Sequence, residues 1–200
     1  MNALREDLNI IQQWVKPDSQ VLDLGCGEGV LLKYLREAKN VRGYGLEISP
    51  EKITACIANG VNVVEQDLNQ GLNNFTDHSI DTVIMTQALQ AVDRPDLLLD
   101  EMLRIGDEAI VTFPNFGYWR TRFYLLLKGR MPMSGTLPYN WYDTPNIHLC
   151  TFLDFEILCR EKGIQIVNKT VVDGEHKEHW TIRLWPSMLG EIAVYHIKRK

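Results

Sequence analysis

Cysteine is scarce in this sequence: four in 200 residues (Cys26, Cys56, Cys150, Cys159), with no C-x-x-C pair. That spacing argues against a zinc cluster and against a redox pair. Long apolar runs are missing too. No stretch approaches the ~20 residues of a bilayer span, and no basic start leads into an apolar leader, so a cytoplasmic protein without membrane contact is expected. Positive charge is in deficit, with 21 Lys and Arg against 26 Asp and Glu, a net charge of −5. A nucleic-acid-binding surface needs a basic face, and none is apparent. Repeats and low-complexity segments are also lacking. What is present is the makeup of an ordinary globular protein, 45% hydrophobic and 24% charged. One domain, 1–200, is long enough to bury its own core.

Short apolar runs alternate with helical patterns. Residues 21–24, 41–46, 61–65, 80–85 and 109–113 read as strands. Between them, Leu31, Leu32 and Leu35, then Ile53, Ile57 and Ala58, then Leu98, Met102 and Leu103 give helical faces. Ser49 and Pro50 mark a helix start and Gly60 its end. Leu4, Leu8, Ile11, Trp14 and Val15 predict a first helix lying across the sheet edge, closed by Pro17. Alternation of this kind implies a parallel, doubly wound α/β sheet. The end differs: 164–167 and 192–197 have no helical pattern between them and read as an antiparallel hairpin closing the sheet.

The chain is organised around Val21-Leu22-Asp23-Leu24-Gly25-Cys26-Gly27-Glu28-Gly29, a buried strand that runs through a glycine turn into a helix. Glycine is needed where φ turns positive or where the backbone must lie against a ligand. The free N–H groups of the following helix favour a negative group. Glu47 stands about twenty residues on, where a nucleoside-binding sheet places its ribose-binding carboxylate, and Asp67 follows the third strand at the same step. A carboxylate is acceptor-only and can take both ribose hydroxyls, or an adenine amine. The glycines read G-x-G-x-G rather than the G-x-G-x-x-G of a pyrophosphate site. With Asp23 before them, this acidic loop suits S-adenosylmethionine (SAM), which carries an ammonium and a sulfonium and no phosphate. A dinucleotide and an empty structural turn are the alternatives. Candidate ligand residues are Asp23, Gly25, Cys26, Gly27, Gly29, Glu47, Ile48, Asp67, Leu68 and Thr86, with Cys26 read as small packing under the turn.

The segment 114–150 is not explained by the scaffold. It holds eight of the 18 aromatics, together with Arg120, Arg122, Arg130 and His148. An insertion this long after a strand is a lid, a binding loop or an interface, or else an ordinary cover helix at 119–127 with a rigid loop. Tyr118, Trp119, Arg120, Tyr139, Trp141 and Tyr142 are the candidate contacts to a substrate or partner, since aromatics and arginines dominate interface hot spots. His148 is the candidate catalytic base; tying the insertion to the sheet is its other reading. His78, His176, His179 and His196 show no ligand spacing and are expected at the surface.

The glycine loop, with Glu47 and Asp67 after it, resembles that of class I methyltransferases. Further blocks narrow the resemblance: Gln87-Ala88-Leu89-Gln90, Phe113-Pro114-Asn115-Phe116-Gly117, Gly129-Arg130-Met131-Pro132, and Leu137-Pro138-Tyr139-Asn140-Trp141-Tyr142-Asp143-Thr144-Pro145-Asn146-Ile147-His148. Over nearly its whole length the chain resembles the MetW family of methionine-biosynthesis proteins. That resemblance implies a Rossmann-like class I methyltransferase fold, with a mostly parallel seven-stranded sheet, and SAM or S-adenosylhomocysteine as ligand. It also implies association with homoserine O-acyltransferase. Methyl transfer to a small-molecule acceptor is implied less directly, so an accessory subunit and an active enzyme both stay open.

Overall fold

The computed structural model describes residues 6–135, 137–173 and 185–200. Its strands are β1 (Gln20–Leu24), β2 (Arg42–Glu47), β3 (Val63–Glu65), β4 (Ile80–Thr86), β5 (Gly106–Pro114), β6 (Ile164–Val172) and β7 (Ile192–Arg199). They form one sheet in the order β3-β2-β1-β4-β5-β7-β6. Neighbours from β3 to β5 pair in parallel, while β7 runs antiparallel to both β5 and β6. The expected mostly parallel sheet with an antiparallel closure is therefore the observed one.

Helices α1 (Glu6–Trp14), α2 (Val30–Lys39), α3 (Pro50–Ala58), α4 (Pro95–Ile105) and α6 (Phe152–Glu161) cover the two faces, while α5 (Trp119–Lys128) contributes nothing to either core cluster. Alternate residues of each central strand point to opposite faces. Val21, Ile84, Ile110 and Val194 pack with Ile11, Leu35 and Cys56 from α1, α2 and α3. Their neighbours Leu22, Met85, Val111 and Tyr195 pack with Leu99, Met102 and Phe155 from α4 and α6. Both faces are buried, which is why these strands read as unbroken apolar runs.

Several expectations are corrected. Helix α1 lies on a face of the sheet, with Ile11 and Val15 buried against its central strands, not across the edge. The last two strands are longer than their apolar runs. β6 is an edge strand, and its exposed Asn168 and Lys169 break the hydrophobic pattern yet still pair with His196 and Tyr195, after a register shift between Ile166 and Asn168. Helix α6 starts at Phe152, where Thr151 and Asp154 form a capping box. His196 is buried rather than at the surface: its Nε2 lies 3.1 Å from Glu108 Oε2, and Trp14 stacks on its ring at 5.7 Å. His78 is exposed as expected and meets Asp107 at 3.0 Å; His176 and His179 lie outside the described residues. No helix among the described residues is long and apolar enough to cross a membrane.

The strand order reverses between β1 and β4, and in open α/β sheets the crevice at such a switch point, beyond the carboxyl ends of the strands, takes the ligand.

Candidate ligand site at the carboxyl ends of the strands

Leaving β1, the chain needs three left-handed residues before α2 can begin, and Gly25, Gly27 and Gly29 supply them at φ +70°, +57° and +74°. The first also permits a close approach. A Cβ on Gly25 would stand 3.2 Å from Ala88 Cβ, so the turn lies against the end of β4. Gly29 caps α2 without a side chain, leaving the first-turn N–H groups open to a ligand.

Glu47 and Asp23 converge on this turn. Glu47 Oε2 accepts from Gly27 N–H at 3.0 Å, and Oε1 accepts from Ile48 and Ser49 N–H at 2.9 and 3.0 Å. That carboxylate, not the Ser49 hydroxyl, orders the start of α3; Ser49 is the N-cap but makes no side-chain cap bond. Asp23 is 1% exposed, and its Oδ1 has no hydrogen-bond partner. Burial, and then the Glu47 charge, pushes its carboxyl up to about 7. A buried acceptor left unpaired costs free energy, on the order of 1–3 kcal/mol. Cys26 is buried in the turn as expected, with its thiol raised by burial. Its neighbour was not legible from spacing: Cys56 Sγ, from α3, is 3.7 Å away.

The other candidates divide between a neighbouring groove and the core. Exposed Ile48 and half-buried Asp67 share an open groove of about 660 Å³ with Glu65 and Gly71. Asp67 caps the single turn Leu68–Gln70, its Oδ1 accepting from Asn69 N–H at 2.9 Å. Leu68 turns inward and packs on the core. Thr86 ends β4, and Gln87 follows at φ +52°, a strained conformation for a residue with a Cβ. Its N–H donates to Thr112 O and Oγ1 at 3.0 and 2.9 Å.

From this strand end a hydrogen-bond chain enters the insertion. Gln90 Nε2 donates to Gln87 O at 2.7 Å and to Asn146 Oδ1 at 3.2 Å, and His148 N–H donates to Gln90 O at 3.0 Å. The exposed His148 ring places Nε2 3.1 Å from Asp93 O. Pairing with a carbonyl makes that nitrogen the donor, so the contact ties the insertion down and leaves Nδ1 as the ring's acceptor. Sequence reasoning missed Gln90 and Asn146 as the anchor; two amides 56 residues apart carry no local signal.

The insertion's rings fall into separate groups. Trp119 meets Tyr118 and Phe123 edge-on, and Arg120 lies 5.4 Å over the Trp119 ring. Trp141 and Tyr142 meet edge-to-face at 5.7 Å, and both are exposed, as is Tyr139. Helix α5 buries only Thr121. Phe123, Tyr124 and Leu125 are exposed, and Leu126 and Leu127 are each 76% exposed.

This sheet order, with a glycine turn after its first strand and acids after the next two, is the class I SAM-dependent methyltransferase fold. A SAM-dependent methyltransferase from Archaeoglobus fulgidus superposes with a TM-score of 0.68 at 16% identity, covering 98% of this chain and 92% of that one. One from Mesorhizobium loti gives 0.67 at 16% identity, covering 97% and 98%. At such identities the likeness concerns the fold. The chain itself belongs to the MetW family: the family described as methionine biosynthesis protein MetW matches residues 5–197. The bifunctional methionine biosynthesis protein MetXA/MetW of Rhodopirellula baltica is 33% identical over 207 residues, 99% of this chain. The match covers 33% of that relative, so the chain spans about one third of its length.

Proposed function

We propose that this protein binds SAM or S-adenosylhomocysteine and serves in methionine biosynthesis as an accessory, activating partner of homoserine O-acyltransferase. The observation that carries the ligand is Asp23, a buried carboxylate with an unpaired oxygen beneath a glycine turn. A cationic ammonium satisfies it, as a phosphate cannot. The ligand's carboxylate faces the open start of α2. Its ribose hydroxyls take the Glu47 oxygens in exchange for backbone N–H groups, and the adenine lies along Ile48 towards Asp67.

The partner reading rests on the insertion. No acidic residue occurs between Glu108 and Asp143, while Arg120, Arg122, Lys128 and Arg130 all do, in a chain of net charge −5. Helix α5 presents that basic segment with an exposed apolar surface, which marks an interaction site. The Rhodopirellula baltica relative joins MetXA and MetW in a single polypeptide. An active methyltransferase for a small molecule is the second reading, favoured by the fold; with Nε2 on the Asp93 carbonyl, Nδ1 of His148 is the nitrogen that would serve as its base.

The test is to purify homoserine O-acyltransferase with and without this protein and assay both with and without SAM. Activation that depends on this protein is expected. No activation and no complex, together with methyl transfer to a small acceptor, would establish the second reading instead.

A further inference from the structure

Two thiols that the ligand reading leaves unused meet beneath the glycine turn. Cys26 Sγ lies 3.7 Å from Cys56 Sγ, and Cys56 Sγ donates to the Gly27 carbonyl at 3.0 Å. Both side chains are buried. Glycines make room for them. A Cβ on Gly45 would stand 2.2 Å from Cys26 Sγ, and one on Gly29 would stand 3.1 Å from Cys56 Sγ. A disulfide needs a separation of about 2.05 Å, so the sulfurs must close by less than about 2 Å. The contact joins the ligand turn to α3, and α3 begins where Glu47 holds Ile48 and Ser49.

We propose that Cys26 and Cys56 form a reversible disulfide with a peroxide as oxidant, and that this cross-link lowers the affinity of the ligand site. The identity of the ligand rests on the reading above; the cross-link does not. Cys26, which sits in the turn itself, attacks the peroxide first. One oxygen transfers to its sulfur as the sulfenic acid, and the other leaves as water. Cys56 sulfur then displaces the hydroxyl from the Cys26 sulfur and gives up its proton, so a second water leaves as the S–S bond forms. In sum, two thiols and one peroxide give one disulfide and two waters. Burial holds both thiols in the protonated form, and the Asp23 and Glu47 charges act in the same direction, so the reaction is slow and uses excess peroxide.

The consequence for the ligand follows from two contacts. Oxidation removes the hydrogen that Cys56 donates to Gly27 O. It also drags Cys26 towards α3, and with it the Gly27 N–H that Glu47 accepts. Both the turn and the ribose carboxylate are displaced, and affinity should fall about tenfold or more.

The experiment treats the reduced protein with hydrogen peroxide, reads its intact mass and maps its peptides, then measures SAM affinity by calorimetry. Four free thiols should become two, with loss of two hydrogens and a Cys26–Cys56 peptide. Affinity should drop and return after dithiothreitol. Cys56→Ser keeps a donor for Gly27 O; it should bind SAM when reduced and, with peroxide, gain oxygen at Cys26 without any cross-link. Oxygen gain alone in the native protein, or a cross-link between other cysteines, overturns the proposal. So does a Cys26–Cys56 bond with unchanged affinity. If the reduced protein binds no SAM, the ligand reading fails, and peptide mapping still decides the cross-link.

Discussion

Under the proposed function, Asp23 should make SAM binding sensitive to pH, with affinity falling on the acid side. Its carboxyl titrates near 7 because burial opposes the charge and Glu47 adds to the opposition. An ammonium ligand needs the ionised form, so binding displaces the Asp23 proton. Below pH 7 each unit costs about tenfold in affinity. The ligand's own α-amino group loses its charge near pH 8, so affinity should peak between the two and be roughly sixfold weaker at pH 6 than at pH 7.5. Stability has the opposite dependence. A folded-state pKa raised above 3.8 means the protonated carboxyl favours the fold, and that contribution is lost as pH rises through 7. The full shift corresponds to on the order of 4 kcal/mol. Asp23→Asn removes the charge from both ledgers. Without ligand it should melt higher than the native protein at pH 8, by about 2–4 °C for each kcal/mol recovered, and match it at pH 4. It should also lose about ten- to a hundredfold in SAM affinity, along with the acid limb of the profile. Calorimetry from pH 6 to 9 and thermal melts measure these effects. A flat affinity profile, or an Asn variant no more stable than the native protein at pH 8, would refute the reasoning.

Glu47→Ala should lower SAM affinity by about one to three decades and also the melting temperature, since Gly27, Ile48 and Ser49 lose their acceptor; unchanged affinity, or tighter binding of NAD, would sink the ligand assignment. Leu126→Asp combined with Leu127→Asp should abolish co-purification with homoserine O-acyltransferase while leaving the melt unchanged, because both side chains face solvent. Trp119, Arg120, Tyr139 and Trp141, each truncated to Ala, should cost about 2 kcal/mol where they act as anchors, measured by pull-down and light scattering. His148→Ala should lower thermal stability by about 1 kcal/mol through the lost Asp93 contact; any methyl transfer, scaled to folded protein, persists if the histidine only ties the insertion down and falls about a hundredfold if it is the base.

The parallel sheet and the glycine turn were legible because their causes are local. Val21, Leu22 and Leu24 are apolar because β1 is covered on both faces, and Gly25, Gly27 and Gly29 are glycine because each φ is positive. Glu47 was legible for the same reason: a short strand places it a fixed step after the turn. Contacts of long range were not. Periodicity shows that α1 has an apolar stripe but not which part of the sheet receives it. His196 looks like any strand histidine until Glu108, Trp14 and Asn168 are seen around it. Cysteine spacing excluded a local pair and said nothing of Cys26 and Cys56, which the sheet brings together across 30 residues. The aromatics of the insertion were visible as composition. That α5 would leave its leucines uncovered was not, since the same residues could have formed a buried cover helix.

One short turn joins the glycine turn to the insertion. Gln87 is held at positive φ by Thr112 on one side, and its carbonyl accepts from Gln90 on the other. Gln90 in turn holds Asn146 and His148, which end the insertion carrying the exposed rings and α5. The same turn abuts the glycine loop, where a Cβ on Gly25 would stand 3.2 Å from Ala88 Cβ. A displacement of that loop therefore meets Ala88 before it meets solvent, and whatever moves Ala88 moves Gln87 and Gln90 in the same four-residue segment. Communication between ligand and partner needs an element both can bias. Residues 87–90 lie in contact with the glycine turn and are hydrogen-bonded to the insertion, so they are the first place to look for such an element.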